Sequence, residues 1–443
     1  MSGPIGSSQW MYSSSTSLFN NAVGQSLRLN GTNSYLSKND FGSATNNSKC
    51  TFSTWIKTSN DAVPASYNHI IGAGSSNIDG FGFTPSEKLQ WIQGGANTFD
   101  GNRLIRDTSA WYHFFTTWNA TDNQLYIYVN GELELYSTSS INALSKLCNT
   151  GHTTYIGRRS NVSSTLIHGY LADTVFLDGT IGSVSDFGET SDGVWIPKNI
   201  SAAGLTFGDN GFHLDYADSS DLGKDVSGKG NHFTSNNLAA EDQVSDSPEN
   251  NWCVLNRLKT NESLSINQTF SEGNLDFTSS EASSNPAVTS TFAVSSGKWY
   301  WEVYIRNYGN TVNSVGIAST PNDLERDSSA LYSKTTAYSY QANGSKHNNS
   351  DASYGDTWTT GDIISVALDL DAGAVYFYKN GTIQNSGTAA FTGLSGEFTS
   401  YSLVYTTAGG AQVYNFGQDD SFAGNKTSGT AGASDSNGLG TFY

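Results

Sequence analysis

The sequence predicts an all-β protein built from two antiparallel β-sandwiches in tandem, and three observations support this. Aromatic residues make up 12% of the 443-residue chain and charged residues only 14%, a balance that argues against disorder and favours strands over helix bundles. The chain also holds 46 glycines but only 2 methionines, as expected where many short strands alternate with tight turns. Finally, one strand–turn–strand pattern occurs twice.

The repeated pattern reads FFTTWNATDNQLYIYVNGE at 114–132 and ISVALDLDAGAVYFYKNGT at 364–382. Each copy holds an apolar strand, a short polar turn, a second strand and then Asn-Gly. Asn-Gly between apolar runs favours a type I′ hairpin turn, so each copy predicts a three-stranded antiparallel meander. The aligned residues are Tyr126, Tyr128, Asn130 and Gly131 with Tyr376, Tyr378, Asn380 and Gly381.

Further strands surround the first meander at intervals typical of a sandwich. They are CTFSTWIKTS (50–59), NHIIGAG, GFGFT, KLQWIQGG, TTYIGRRS and HGYLADTVFLDG (168–179). We therefore expect an N-terminal arm at 1–20 and a first sandwich at 21–215. Trp55 and Trp118 lie within these strands and are assigned to the core.

A polar, turn-rich stretch at 216–265 is interpreted as a connector between the domains. The second sandwich is expected at 266–418, with strands at SGKWYWEVYI, SVGIAS, SYSLVYT and QVYNFG and with Trp299 and Trp301 in its core. Residues 419–443 are dominated by Gly, Ser, Asp, Asn and Ala, so this C-terminal tail is expected to lack order on its own.

The charge of the chain disfavours two classes of partner. Its 40 acidic and 22 basic residues give a net charge of −18, which repels nucleic-acid phosphates and anionic lipid. No apolar stretch approaches the roughly 18 residues of a membrane-spanning helix. The opening MSGPIGSSQWMYSSS lacks the pattern of a secretory signal, so we expect synthesis and assembly in a cytoplasm.

Two sets of motifs resemble known domain families. TFSTWIKTS, WYHFFTTW (111–118), LYIYVNGE and YIGRRS resemble the laminin-G/concanavalin-A-like lectin superfamily. SSGKWYWEV (295–303), VGIAS (315–319), TTGDIISVALDLDAGAVYFYKNG (359–381) and YNFGQ (414–418) resemble a SPRY domain. Both families are antiparallel β-sandwiches, which agrees with the fold predicted from the residues.

The combination is similar to tail-fibre or lectin-like virion proteins of marine tailed bacteriophages. The strings that carry this resemblance are SQWMYSSS, HGYLADTVFLDG, FGETSDGVWIPK and DQVSDSPENN. It implies a structural, adhesive virion protein that binds other virion proteins and a host-surface glycan or protein. It also implies a homo-oligomer, with a trimer as the usual fibre arrangement. The alternatives are an adaptor or decoration protein without host binding and, less favoured, a glycan depolymerase.

The resemblance suggests two sets of binding residues. In SPRY-like domains ligands meet loops at one rim, which implies Arg306, Tyr308, Arg326 and Tyr332; the alternative is that the two tyrosines pack within their own loops. The N-terminal arm carries apolar residues in a Ser/Gly-rich context. These would dock onto a virion partner or fold back on their own domain, and they are Ile5, Trp10, Met11 and Tyr12.

Catalytic patterns are missing from the sequence, so we expect no enzyme. Glycoside hydrolysis needs two carboxylates flanking the bond, but Glu132 and Glu134 follow a hairpin turn and are interpreted as exposed edge-strand carboxylates. There is no Gly-x-Ser-x-Gly and no phosphate-binding glycine loop. The three cysteines are widely spaced and are predicted to be buried thiols: Cys50, Cys148 and Cys253.

No cofactor is expected, with calcium left open. The seven histidines do not cluster as zinc ligands do. Oxygen ligands for calcium could come from Asp369 and Asp371, or from the acidic run Asp215–Asp221. Asp-Leu-Asp-Ala-Gly is also typical of a turn in which Asp binds its own backbone, and that interpretation is favoured.

Overall fold

The computed structural model describes residues 22–59, 67–200, 204–260, 268–280, 286–309, 312–320, 335–404, 409–427, 434–435 and 438–443. It confirms the all-β class. The chain divides into two compact units, Met1–Asn251 and Trp252–Tyr443. No helix among the described residues has the length and hydropathy needed to span a bilayer.

The first unit contains seventeen strands in its described part. They are β1 Ser26–Asn30, β2 Tyr35–Lys38, β3 Lys49–Thr58, β4 Asn68–Ala73, β5 Asp79–Phe83, β6 Lys88–Gln93, β7 Asn97–Leu104, β8 Tyr112–Asn119, β9 Gln124–Val129, β10 Glu132–Ser137, β11 Thr154–Ile156, β12 His168–Asp178, β13 Gly188–Ser191, β14 Val194–Pro197, β15 Phe212–Leu214, β16 Thr234–Asn236 and β17 Gln243–Val244.

These strands form two large antiparallel sheets. The first sheet has the order β10-β9-β8-β3-β12-β1-β17, with β15 added against β12. The second sheet has the order β16-β2-β11-β4-β5-β6-β7, and β13 and β14 form a separate hairpin. The core lies between the sheets, where Trp91 of the second sheet stacks on Trp118 of the first with ring centroids 5.2 Å apart. The unit is therefore a sandwich, as the strand spacing predicted.

The second unit contains fifteen strands in its described part. They are β18 Leu255–Thr260, β19 Gln268–Ser271, β20 Asp276–Ser279, β21 Ala287–Val294, β22 Lys298–Asn307, β23 Ser314–Ser319, β24 Ala337–Gln341, β25 Ser345–His347, β26 Asp351–Ser353, β27 Ile363–Asp369, β28 Ala374–Lys379, β29 Thr382–Ile383, β30 Phe391–Thr392, β31 Phe398–Leu403 and β32 Gly410–Asn415.

The second unit is also a two-sheet sandwich. The third sheet has the order β18-β21-β31-β23-β24-β25-β26, and the fourth has the order β19-β20-β32-β22-β27-β28-β29, with β30 against β28. Trp301 and Val303 of the fourth sheet meet Val315 and Ile317 of the third in the core. Trp299 is only half-buried at the edge of that core, whereas Trp55, Trp118 and Trp301 are buried as predicted.

Both predicted meanders are present, as β8-β9-β10 and as β27-β28-β29. Asn130 and Gly131 have φ of 50° and 77°, and Asn380 and Gly381 have φ of 48° and 75°. These values fit the type I′ turn that Asn-Gly favours. In each copy the Asn side chain accepts a backbone N–H from the start of the first strand, at 2.7 Å from His113 and at 2.8 Å from Ile363.

The described residues of the stretch 216–265 belong to the two sandwiches and do not form the expected connector. β16 pairs with β2 and β17 pairs with β1, so residues up to Asn251 complete the first sandwich. The Lys57 ammonium lies 2.8 Å from the Asp246 carboxylate, and both side chains are fully buried. β18 joins the third sheet in the second unit. The polar composition of 216–251 concealed these attachments, because backbone pairing and a buried ion pair are combined there with only a few apolar core residues, Tyr216, Leu222 and Phe233.

The described part of the C-terminal tail is also ordered against its own unit. Phe422 is fully buried beside Tyr304, with ring centroids 5.8 Å apart, and Phe442 meets Tyr300 edge-on at 5.0 Å. The Tyr443 N–H donates to Glu302 at 2.9 Å. Two phenylalanines thus cover the outer face of the fourth sheet. The composition of 419–443, dominated by small and polar residues, did not reveal the role of these two phenylalanines. The expectation of a tail without order was therefore wrong for the described residues of this segment.

Candidate functional site

The two described rim residues are engaged within the second unit. Arg306 donates from Nη2 to Asp276 Oδ1 and to Thr278 Oγ1, both at 2.9 Å. Burial raises the pKa of Asp276 although the Arg306 charge opposes that shift. The half-buried Tyr308 ring packs against the core of the second unit, 6.4 Å from the ring of Trp358, which lies outside the loop that holds Tyr308. The other predicted binding residues lie outside the described residues: Arg326, Tyr332, Ile5, Trp10, Met11 and Tyr12.

The two carboxylates of GELEL differ in environment. Glu132 is exposed, as expected, and pairs with Arg103 at 2.9 Å. Glu134 is not exposed: only 7% of its side chain is accessible, and its Oε1 accepts the backbone N–H groups of Asn102 and Arg103. The prediction of an exposed Glu134 was wrong because β7 lies beside β10 and presents backbone donors that need an acceptor.

The acidic turns use their oxygens locally. Asp369 accepts the Ala372 N–H at 2.9 Å, and this bond is the main cause that lowers the pKa of Asp369. Asp371 accepts the Gly297 N–H, also at 2.9 Å, and Asp218 pairs with Lys224 at 2.8 Å. The described residues hold no cluster of three His, Cys, Asp or Glu suited to a metal ion. All three cysteines are buried and unbridged, as predicted.

The outer face of the first sheet carries exposed aromatic surface at its β9–β10 edge. Leu125, Ile127 and Val129 of β9 point into the core, so Tyr126 and Tyr128 point outward. In the pairing with β10, Tyr128 lies opposite Leu133 and Tyr126 opposite Tyr136. We call these four residues, Tyr126, Tyr128, Leu133 and Tyr136, the tyrosine patch.

The tyrosine patch combines order with exposure. The Tyr126 and Tyr136 rings stack with centroids 4.6 Å apart, and those of Tyr126 and Tyr128 stack at 6.4 Å. Leu133 is 53% and Tyr136 47% exposed. Desolvation and the neighbouring Tyr136 phenol raise the pKa of Tyr126 above its ordinary value. The patch therefore offers flat ring faces with hydroxyl groups at their edge.

Charged groups border the patch. Arg103, 39% exposed at its side chain, bridges Glu132 and Glu134 next to Leu133. Ligand sites commonly combine aromatic rings with a few polar groups that fix the orientation of the ligand. Stacked tyrosines beside an Arg–Glu pair suit a sugar ring, which presents an apolar face and a rim of hydroxyls.

The period-two alternation of β9 is enough to put Tyr126 and Tyr128 on one face, but it does not predict that Tyr136 joins them. A two-residue turn without irregularity would pair Tyr126 with Leu135 and send Tyr136 to the opposite face. A β-bulge between Leu133 and Leu135 shifts the register by one residue and brings Tyr136 beside Tyr126. The one sequence feature at this bulge is the run LEL, in which Leu133 and Leu135 flank Glu134. In a regular strand these two leucines would share a face, and the bulge separates them.

The second copy of the meander has no such patch. Tyr376 and Tyr378 are half-buried, as Tyr126 and Tyr128 are, but Tyr378 makes an edge-on contact with Tyr300 at 6.3 Å. Tyr300 in turn contacts Phe442 of the C-terminal segment. The hairpin partner of Tyr378 is Ile383, in a strand of only two residues. The equivalent tyrosines therefore form no exposed ring stack.

Two family models match the chain in the order that its motifs suggested. The concanavalin A-like lectin/glucanases superfamily model matches residues 30–182, and the SPRY domain model matches residues 298–419. The matched ranges fall within the first and second units respectively.

Individual relatives are distant. An E3 ubiquitin-protein ligase, RKP of Arabidopsis thaliana, is 31% identical over 125 residues, which are 27% of this chain and 9% of that protein. The chain therefore spans about a tenth of the length of this curated relative. The crystal structure of the SPRY domain of human HERC1 matches at 20% identity and a TM-score of 0.31, covering 36% of this chain and 96% of that one.

A second crystal structure of a human SPRY domain matches at 16% identity and a TM-score of 0.26, covering 32% of this chain and 90% of that one. Domains of the SPRY and laminin-G types serve mainly in protein interactions. Sheet order, core composition and family matches agree on one conclusion. The chain carries a concanavalin A-like, laminin-G-type domain followed by a SPRY domain.

Proposed function

We propose that this chain is an adhesive protein that binds a surface glycan through the tyrosine patch and performs no chemical step. The observation that carries the proposal is the stack of the half-buried Tyr126 ring on the exposed Tyr136 ring, on the outer face of the first sheet. Tyrosine loses little side-chain entropy on binding and supplies both an apolar ring and a hydroxyl. Both are needed to hold a sugar ring.

The proposed setting is a bacteriophage virion, as a tail fibre or a fibre-associated component. This part of the proposal rests on the resemblance of SQWMYSSS, HGYLADTVFLDG and related strings to marine phage proteins. Individual sugar sites are weak, and several copies in one particle increase the avidity by raising the effective concentration. A homo-oligomer, with a trimer as the fibre arrangement, therefore belongs to the proposal. Light scattering of the purified chain measures the copy number directly.

A glycan array of bacterial surface polysaccharides tests the proposal. The full chain is expected to bind a subset of the array, and Tyr126→Ala is expected to weaken that binding about tenfold because it removes the centre of the ring stack. The matched control is Tyr376→Ala, the equivalent position of the second meander, which is expected to leave binding unchanged.

Two outcomes would count against the proposal. Equal losses from Tyr126→Ala and Tyr376→Ala would remove the tyrosine patch as the site. A chain that binds no glycan but binds other virion proteins would favour the adaptor or decoration alternative.

A further inference from the structure

Two adjacent arginines of the first unit have no carboxylate partner in the part of the chain that the structure describes. Arg158 and Arg159 follow β11, and neither forms an ion pair with a described residue. Acidic residues outnumber basic ones almost two to one in this chain. Other arginines do pair with carboxylates, namely Arg28, Arg103, Arg106 and Arg306.

Arg158 is held in place by two tyrosines on the outer face of the second sheet. Leu36 of β2 and Ile156 of β11 point into the core, so their neighbours Tyr35 and Tyr155 point outward. The Arg158 Cζ lies 4.9 Å from the Tyr35 ring centroid and 4.5 Å from that of Tyr155. Cation–π contacts of this kind position a guanidinium without using its N–H donors.

Arg158 is only half-buried, so part of its guanidinium reaches the surface. Its Nε is buried without a hydrogen-bond partner. This nitrogen is out of reach of a ligand, so the two Nη groups are the donors that a carboxylate would meet. Arg159 lies close by, with its Cζ 5.3 Å from the Tyr67 ring and its Nε donating to Asn161 at 3.0 Å.

The neighbouring part of the same face carries glycines that frame a slot beside the arginines. Gly72 pairs with Tyr155, and Gly80 and Gly82 follow on β5. The His69 ring fills this slot: its Nδ1 lies 2.7 Å from where a Gly72 Cβ would stand. That Nδ1 is likewise buried without a hydrogen-bond partner. Gly72, Gly80, Gly82 and His69 are all buried, so the histidine occupies this slot and the contacts to a ligand are left to the two arginines.

We propose that this face binds the carboxylate of an acidic saccharide, with Arg158 as its main ligand and Arg159 as a second cation. The inference rests on the proposed glycan adhesion and names the class of sugar. The planar guanidinium fork matches a planar carboxylate in two parallel hydrogen bonds. The net charge of −18 gives a polyanion no general attraction to this chain, so local contacts must hold it.

Calorimetric titration of the full chain tests the inference with three oligosaccharide probes of equal length. They are oligogalacturonate, which carries carboxylates, sulfated dextran oligomers, and neutral maltooligosaccharide. The wild-type chain is expected to bind oligogalacturonate at least about tenfold more tightly than either other probe. Arg158→Gln is expected to remove that preference. Arg158→Lys keeps the charge but loses the fork, and is expected to retain only part of the preference.

The charge-matched control is Lys229→Gln, at an exposed lysine of the same unit, and it is expected to leave binding unchanged. Thermal unfolding of each variant separates loss of the site from loss of the fold, and Arg158→Lys supplies a variant that keeps the cation–π contacts. Unchanged oligogalacturonate binding in Arg158→Gln, or a wild-type preference for the sulfated probe, would overturn the inference.

Failure of this inference is distinguishable from failure of the adhesive function. A wild-type chain that binds array glycans through Tyr126 but no carboxylate-bearing probe contradicts only the Arg158 site. A chain that binds none of the probes and no array glycan contradicts both.

Discussion

At the residue scale, the buried His113 shows how one side chain attaches an extra hairpin to the sandwich. The Trp195 Nε1 of β14 donates to His113 Nδ1 at 3.1 Å, which leaves the ring proton on Nε2, 2.8 Å from Ser53 Oγ. Trp55 and Trp195 stack on the imidazole at 4.9 and 5.9 Å. Burial lowers the pKa of His113 to about 3, so the ring stays neutral.

The lowered pKa predicts acid sensitivity. The unfolded chain protonates this histidine near pH 6.5, whereas the folded chain does not until about pH 3. The contribution of neutral His113 to the free energy of unfolding is therefore fully present above pH 6.5. It decreases by up to roughly 1.4 kcal/mol per pH unit as the pH falls toward 3. His113→Gln should make the free energy of unfolding less steeply pH-dependent between pH 6 and 4. The slope between pH 7 and 8 serves as the control, and an equal slope in both proteins at acid pH would contradict the assignment.

A second residue-scale prediction concerns the buried Lys57–Asp246 pair. Asp246 also accepts the Trp111 indole N–H at 2.9 Å, and Lys57 donates to Asn251 at 2.8 Å. Lys57→Met leaves a buried carboxylate without its cation and should cost roughly 3–5 kcal/mol of unfolding free energy. The double variant Lys57→Met/Asp246→Leu should cost less. Lys224→Met, in the more exposed Lys224–Asp218 pair, should change the free energy of unfolding little. Similar losses of stability at the two sites would mean that the buried pair does not hold the segment around Asp246 to the first sandwich.

At the element scale, the two Asn-Gly turns form a natural matched pair. Both glycines have φ near 75°, a region that strains any other residue. A Cβ at Gly381 would meet open space, whereas one at Gly131 would lie 2.6 Å from the Trp195 ring.

Gly381→Ala should therefore cost roughly 1 kcal/mol from backbone strain alone. Gly131→Ala should cost roughly 2–3 kcal/mol because it also displaces Trp195. Denaturant unfolding of the full chain, followed in the transition of the affected unit, measures both. Equal costs would mean that the Trp195 contact contributes nothing.

The same elements show what the sequence could predict. The meanders were predictable because Asn-Gly and period-two alternation are local signals. The tyrosine patch was not, since a single bulge after Leu133 decides which face Tyr136 occupies. The attachment of β16 and β17 was missed for a related reason: backbone pairing between residues about 200 positions apart leaves no mark in local composition.

At the scale of the whole molecule, each unit includes a segment that its composition did not assign to a sandwich. These segments are the predicted connector in the first unit and the predicted C-terminal tail in the second. The first unit uses residues up to Asn251, and the second uses Phe422 and Phe442 to cover the outer face of its fourth sheet. Exposed ring surface then remains at the β9–β10 edge of the first unit. This difference between two related meanders is why we place adhesion on the first unit.

Binding of the full chain to intact cells from a panel of marine bacteria, before and after periodate oxidation, tests glycan adhesion most directly. Periodate cleaves vicinal diols of sugars and leaves most of the protein surface in place. We predict that binding is lost after periodate, survives protease treatment of the cells, and is about tenfold weaker for Tyr126→Ala than for Tyr376→Ala. Binding that survives periodate and is abolished by protease would contradict the account.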